Sequence, residues 1–304
     1  MGFFKYQLPL DIDCVGLWRM NETAATSNAI DSSTTANNGV QNNDPGVVTG
    51  IVGLGGGNAR DVSAANKYFK VPQNAAYCNL TQFTIAAYVY YNGNVPGVGK
   101  YANIFDLSDS AAGLGGEEAA GTEAQIQIVL DENKFIWVEY KGPCMGCRYI
   151  QSTNTLSTGW HFLVYTWSVA LNVSYTVTLY IDNVLSINQT DLCGIAAASD
   201  CGFFINTALH LGNNFQDQAN CYWRGYLDEI AFYNTVKSQD WINHYALPSQ
   251  PTVCSLPKIS SDFTLNHYTC LPTNYNDAYN NLNYCTPFSL IRRPLWHISG
   301  SHMR

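Results

Sequence analysis

The segment Gly225-Tyr226-Leu227-Asp228-Glu229-Ile230-Ala231-Phe232-Tyr233-Asn234 constrains the fold more than any other stretch of this chain. It has the composition of a β-strand yet carries two carboxylates in its middle, where a sheet buries apolar side chains and a charge gains nothing from the ladder. Strand alternation puts Tyr226, Asp228, Ile230 and Phe232 on one face and Leu227, Glu229, Ala231 and Tyr233 on the other. The two carboxylates are therefore expected on opposite faces, with Asp228 among large apolar groups and in need of a partner. A short amphipathic helix follows. Ser238 is a good N-cap, and Trp241, Ile242 and Tyr245 share a face.

Short strand signals recur along the rest of the chain. Phe83 to Tyr91 alternates, with Phe83, Ile85, Ala87 and Val89 on one side. Asn103 to Leu107, Gln125 to Leu130, Phe135 to Tyr140, Trp160 to Trp167 and Tyr175 to Ile181 have the same character. Asp182-Asn183 reads as the tight turn of a hairpin with Val184 to Ile187. Asn37-Asn38-Gly39 and Asn42-Asn43-Asp44-Pro45-Gly46 are turn clusters. Phe162 to Ile181 is long and uncharged enough to span a bilayer, but its β-branched, alternating composition predicts a strand pair instead. A dozen short strands with almost no helix predict an all-β protein, an antiparallel β-sandwich with one short closing helix.

Composition narrows the function. Charged residues are only 12% of the chain and the net charge is −8, so there is no basic stripe to neutralise phosphates and no nucleic acid is expected as a partner. A polar but nearly uncharged surface suits an extracellular or surface-exposed protein. Met1 to Leu10 shows no apolar run of signal-peptide length, which leaves a leader removed before this numbering or another route outward, as on a virion.

Ten cysteines also favour an oxidising compartment. Cys14, Cys78, Cys144, Cys147, Cys193, Cys201 and Cys221 precede Leu247; Cys254, Cys270 and Cys285 follow it. Both groups are odd in number, so either a bridge joins body to tail or one thiol is free or bonded to another subunit. All ten are disulfide candidates. Cys144 and Cys147 lack the second pair that a zinc site needs, and they lack the βαβ context of a redox pair. Four sequons, at Asn21, Asn79, Asn172 and Asn188, are glycosylation candidates, although chance supplies about that many in a chain this rich in Asn, Ser and Thr.

Three segments are expected: 1–13; the sandwich, 14–247; and an Asn/Tyr-rich, Cys-containing extended arm, 248–304, too poor in core residues to fold alone without disulfides. Gly300-Ser301-His302-Met303 matches residues that cloning vectors leave, so 300–304 carry no functional weight.

The order of these motifs from about Cys14 to Leu247 resembles the laminin G-like branch of the concanavalin A-like lectin/glucanase superfamily. Gly16-Leu17-Trp18-Arg19-Met20-Asn21 with Asp31-Ser32-Ser33 is similar to its first strand and turn. Ala59 to Pro72, ending in an aromatic residue and Val-Pro, is similar to a further strand of the family. Phe83-Thr84-Ile85-Ala86-Ala87-Tyr88-Val89 and the hairpin of Gly159-Trp160-His161-Phe162 with Leu179-Tyr180-Ile181-Asp182-Asn183-Val184 continue the match. Gly225 to Asn234 and Ser238 to Tyr245 are its closing strand and helix. The resemblance implies a jelly-roll sandwich, which does not by itself give a function.

Glucanases of the superfamily use two carboxylates on one strand face. No such strand exists here, and Asp228-Glu229 alternate, so no enzyme activity and no catalytic residues are expected. Relatives often hold Ca²⁺ through a carboxylate and backbone carbonyls, which makes Asp228, with Asp31 second, the metal candidates and a structural Ca²⁺ the one cofactor considered. Asp106 with Asp109 is a weaker cluster. The plainer reading pairs Asp228 with backbone N–H groups, Arg60 or Arg224. Tyr88, Tyr90, Tyr91, Trp167, Tyr222 and Trp223 could stack on sugars, but core packing accounts for them as well. His161 and His244 read as structural.

The leading expectation is a non-enzymatic structural or adhesion subunit that contacts proteins or glycans, with the tail docked on its own body or on a neighbouring subunit. The alternatives are a Ca²⁺-dependent carbohydrate-binding lectin and a viral or phage exterior protein, decoration or fibre. The partners expected are other protein subunits, by self-assembly, or surface glycans, without a membrane span.

Overall fold

A computed structural model describes residues 7–51, 57–77, 80–107, 125–142, 145–170, 174–192, 208–213 and 219–246. The chain divides into two units, 1–252 and 253–304, and every described residue lies in the first. The arm with Cys254, Cys270 and Cys285 lies outside the described residues, as do Cys78, Cys144, Cys193, Cys201, Asn79, Asn172 and Asp109.

Among the described residues, fifteen strands and one α-helix occur in chain order, with a single 3-10 turn at Ala75–Tyr77. They are β1 (Cys14–Trp18), β2 (Val40–Asn42), β3 (Gly46–Thr49), β4 (Asn58–Asp61), β5 (Tyr68–Val71), β6 (Gln82–Tyr91), β7 (Ala102–Leu107) and β8 (Gln125–Leu130). Then come β9 (Phe135–Gly142), β10 (Met145–Thr155), β11 (Gly159–Ala170), β12 (Ser174–Ile181), β13 (Val184–Leu192), β14 (Leu209–Leu211), β15 (Gly225–Tyr233) and α1 (Gln239–Tyr245). The first sheet runs β13-β12-β11-β6-β15-β4-β3, with β1 also paired to β15, and the second runs β10-β9-β8-β7-β14-β5-β2. All ladder pairs are antiparallel. The protein is the expected antiparallel sandwich, and Phe162 to Ile181 is the expected strand pair. No helix among the described residues is long and apolar enough to cross a membrane.

Strand periodicity sets the layers. Phe83, Ile85, Ala87 and Val89 of β6 face the interior with Leu163, Tyr165 and Trp167 of β11, and meet Phe105, Ile128 and Val138 of the second sheet. The alternate residues Ala86 and Tyr88, with Phe162, Val164, Ala231 and Tyr233, form a second apolar cluster on the outer face of the first sheet. Leu8 of the N-terminal segment and Ile242 of α1 complete that cluster. Ser238 caps α1 by accepting a hydrogen bond from Trp241 N. The Asp182-Asn183 turn has φ of 51° and 73°, the left-handed pair that closes a two-residue hairpin. At Gly225 a side chain is excluded, because a Cβ there would lie 1.6 Å from the Tyr90 carbonyl oxygen.

Candidate functional site

The closing strand departs from simple alternation. Asp228 pairs with Tyr88 and Ala231 with Ala86, so Glu229 and Ile230 together oppose the single residue Ala87. This is a β-bulge, and Glu229 takes its left-handed position with φ 45°. The consequence is a correction: the extra residue resets the phase, and Asp228 and Glu229 both lie off the interior while Leu227, Ile230 and Phe232 all enter it.

Each carboxylate then finds its own partners. Glu229 is almost fully buried, and Arg19 Nη1 donates to its Oε2 at 2.8 Å and its Oε1 at 3.1 Å. The Leu8 N–H donates to the same Oε2 at 3.1 Å, and Arg19 Nη2 reaches the Leu8 carbonyl. Burial raises the Glu229 pKa in spite of Arg19. Asp228 accepts from Ile51 N at 3.3 Å, and its pKa is raised to about 8, first by burial and then by the adjacent Glu229 charge. Neither expected arginine serves it. Arg60 is buried and spends its donors on the carbonyls of Ala25, Ser27 and Pro45 and on Glu22, whereas Arg224 stacks on the Tyr222 ring at 3.6 Å.

The two metal candidates differ in fit. Asp31 accepts from Leu17 N, Ser33 N, Ser33 Oγ and Asn37 N, all between 2.7 and 2.9 Å. Four donors saturate this carboxylate, which pins the first turn and has nothing left for a cation. Asp228 Oδ2 instead lies with the Asn58 and Gly57 carbonyl oxygens around Gly50, all three within 2.7–3.0 Å of where a Gly50 Cβ would stand. The three oxygens close on the Gly50 Cα, so only a glycine fits there, and the Gly57 carbonyl already accepts from Gly50 N at 3.1 Å. Among the described residues no three His, Cys, Asp or Glu side chains gather as a metal group.

Cys14 is a buried free thiol whose Sγ donates to the Gly16 carbonyl at 3.4 Å. Burial pushes its pKa up to about 12. Asn21 packs so tightly against Gly57 that a Cβ there would meet its Oδ1 at 1.8 Å, whereas Asn188 lies exposed on β13. Of the aromatic candidates, Tyr88, Tyr91, Trp167 and Trp223 are fully buried, and only Tyr90 and Tyr222 are partly open.

The second sheet carries a feature that sequence order conceals. Successive cross-strand pairs link Val40 to Lys70, Lys70 to His210, His210 to Asp106, Asp106 to Gln127, Gln127 to Glu139 and Glu139 to Tyr149. One residue from each of the seven strands thus stands in a single row. At about 4.8 Å per strand it is roughly 29 Å long. The neighbours of these residues in sequence, such as Phe105, Leu107, Ile126, Ile128, Val138, Leu209 and Leu211, fill the interior, so alternation turns the row to the outer face. Its ends, Val40, Lys70 and Tyr149, are exposed; its four central residues are at most 1% exposed.

Buried polar groups outside the core are costly unless hydrogen-bonded. Gln127 Nε2 donates to Asp106 Oδ1 at 3.1 Å, but Gln127 Oε1 is buried with no hydrogen-bond partner. Asn103, on the same face of β7, has neither its amide nitrogen nor its oxygen satisfied. His210 is neutral near pH 7, its pKa lowered to about 4 by burial and then by the Lys70 charge. Of these residues the sequence flags only Asp106. The rule that singles out Asp228, a polar group in mid-strand, applies equally to Gln127, Glu139 and His210.

Comparison with known proteins agrees with this architecture. The chain belongs to the concanavalin A-like lectin/glucanases superfamily, whose Laminin_G_3 model matches residues 63–243, more than half of it. No curated protein matches it. Among solved structures it is similar to domain 4 of AbnA, an extracellular arabinanase from Geobacillus stearothermophilus, in complex with arabinotriose. The TM-score is 0.52 at 16% identity, over 77% of this chain and 98% of that one. The binding domain of Paraclostridial Mosquitocidal Protein 1 gives 0.54 at 13% identity, over 76% and 51%. Trypanosoma rangeli sialidase gives 0.52 at 11%, over 76% of this chain and 32% of the sialidase. At these identities the likeness is one of fold: a lectin-like jelly roll shared by binding domains and glycosidases.

Proposed function

We propose that this chain is a non-enzymatic binding module of an extracellular or surface-exposed assembly, and that it engages glycans through the outer face of its second sheet. The observation that carries this is the seven-residue row from Val40 to Tyr149, in which Gln127 Oε1 is buried without a hydrogen-bond partner. A sugar chain would meet the exposed Val40, Lys70 and Tyr149, while the four central residues, at most 1% exposed, set the polarity beneath it. Two carboxylates beside a neutral histidine favour uncharged sugars over acidic ones. The neighbouring AbnA domain, solved with arabinotriose, supports a carbohydrate ligand for this architecture.

A binding role is favoured over hydrolysis by the place of Gln127. Glycosidases keep a gap between their two carboxyls, about 5 Å in retaining and about 6.5–9.5 Å in inverting enzymes, in which the scissile bond sits. Here Gln127 stands between Asp106 and Glu139 and hydrogen-bonds the former. A glycan array with purified protein, followed by calorimetry on the hits, tests the proposal. Binding of neutral oligosaccharides that weakens at least tenfold in Gln127→Ala, with no release of reducing sugar, is the expected result. A folded protein that binds nothing on the array, or that hydrolyses a hit, overturns it.

The burial of Asp228, which accepts from Ile51 N at 3.3 Å, favours a second reading, in which a structural Ca²⁺ rests on Asp228 and makes binding Ca²⁺-dependent. Repeating the array with EDTA separates the two. Assembly with further subunits through the Cys-bearing arm is part of the same proposal; a disulfide-linked oligomer on non-reducing gels is its expected sign, and a monomer under both conditions removes it.

A further inference from the structure

A cleft of about 200 Å³ opens between the β10–β11 turn and the β12–β13 hairpin, on a part of the molecule distinct from the polar row. Its floor is His161, whose Nδ1 lies 2.6 Å from Asp182 Oδ2 and whose Nε2 lies 2.8 Å from the Ser157 carbonyl oxygen and 3.3 Å from Ser157 Oγ. In outline this is a Ser-His-Asp line. Its proton inventory says otherwise. A carbonyl oxygen only accepts, so Nε2 carries a proton, and Nδ1 donates to the carboxylate. The ring is an imidazolium with no lone pair to activate Ser157. Burial works against that charge, but the hydrogen bond and charge of Asp182, with the Ser157 carbonyl, outweigh it and raise the His161 pKa. Asp182 is held as firmly, since its Oδ1 accepts from Phe162 N at 2.8 Å.

The walls of the cleft divide by chemistry. Leu156, Ile181 and Val184 give it an apolar side. Asn154, Ser157 and Ser186 give it an amide and two hydroxyls, with Ser186 Oγ fixed by the Thr153 N–H at 3.1 Å. The imidazolium and carboxylate of the floor cancel in charge, so a charged ligand gains nothing there. A ring with hydroxyls on one edge and C–H groups on its face matches each surface in turn. The volume is below the roughly 300–1,000 Å³ of pockets that take drug-sized molecules, which limits the occupant to one ring.

We infer that this cleft is a second binding site, and that it takes a single uncharged sugar residue, as at the end of a glycan chain. Amide-resolved NMR titration with the methyl glycosides of glucose, galactose, mannose and N-acetylglucosamine, at up to tens of millimolar, tests it. At least one glycoside is expected to shift the amides of residues 154–157 and 181–186 saturably. Val184 is more than half exposed, so Val184→Trp fills the cleft without disturbing the core. That variant should weaken the response at least tenfold, and Asn154→Ala about threefold. Gln127→Ala, in β8 and outside the cleft lining, should leave it unchanged. No shift with any of the four glycosides, or an undiminished response in Val184→Trp, overturns the inference. Loss of the response in Gln127→Ala would assign the sugar to the polar row instead and overturn it equally.

Discussion

The two outer faces of the sandwich are built on opposite principles. On the first sheet the outer face is a second hydrophobic core, sealed by Leu8 and Ile242. Its charged groups are fastened to defined donors: Glu229 to Arg19 and the Leu8 N–H, Asp228 to the Ile51 N–H. On the second sheet the outer face carries Asp106, Gln127, Glu139 and His210 in line, and polar atoms of Gln127 and Asn103 lack hydrogen-bond partners. The first arrangement leaves each carboxylate with a donor, although burial still raises both pKa values. The second raises the free energy of the fold, by about 1–3 kcal/mol for each unsatisfied group. A face that costs stability and is retained is the better candidate for binding.

The contrast can be broken most directly at the helix. Ile242 is fully buried against the first sheet, so Ile242→Ala should cost about 3 kcal/mol in urea unfolding. A loss under about 1 kcal/mol would mean that α1 does not seal a core. Arg19→Met should cost about 2–3 kcal/mol at neutral pH by leaving Glu229 buried without its cation. The same variant should approach wild-type stability in acid, where Glu229 takes a proton, and a pH-independent loss would argue against the ion pair.

Asp228 offers a test with a definite sign. Its folded pKa, about 8, lies above the ordinary value of 3.8, so the folded protein holds a proton that the unfolded chain has released. Stability should therefore fall as pH rises from about 4 to about 8 and level off above that. Asp228→Asn, which mimics the protonated acid, should match wild type near pH 4 and be the more stable of the two at alkaline pH. Bound Ca²⁺ would reverse that advantage, because the amide supplies no charge. The smallest effect belongs to the second sheet. Asn103→Val removes two unsatisfied polar atoms and should raise stability by about 1 kcal/mol. A destabilised Asn103→Val would show that the asparagine is satisfied in solution and would blur the difference between the faces.

Local chemistry was legible where it acts over a few residues. Alternation in Phe83 to Tyr91, the Asp182-Asn183 turn and the Ser238 cap all appear in the structure as read, because each depends on period, φ preference or one side chain reaching its neighbouring N–H. The same reasoning failed at Asp228-Glu229. Alternation assumes a regular ladder, and the bulge against Ala87 is set by pairing with β6, more than a hundred residues away in sequence. A glutamate in a left-handed position costs about 1–2 kcal/mol. Nothing in the segment announces that Arg19 and the Leu8 N–H are there to offset it.

By itself, then, the sequence determined the class of fold, because hydrophobic period and turn residues are local and recur a dozen times along the chain. The strand Gly225–Tyr233 was recognisable as a strand for the same reason, and as the closing strand by its resemblance to the family. Only the tertiary structure decided which way its carboxylates point, and only register could align Lys70, His210, Asp106, Gln127, Glu139 and Tyr149. Those residues come from six strands spread over the chain from Tyr68 to Leu211. Their juxtaposition is a property of antiparallel pairing, in which a shift of one residue would have turned each of them into the core.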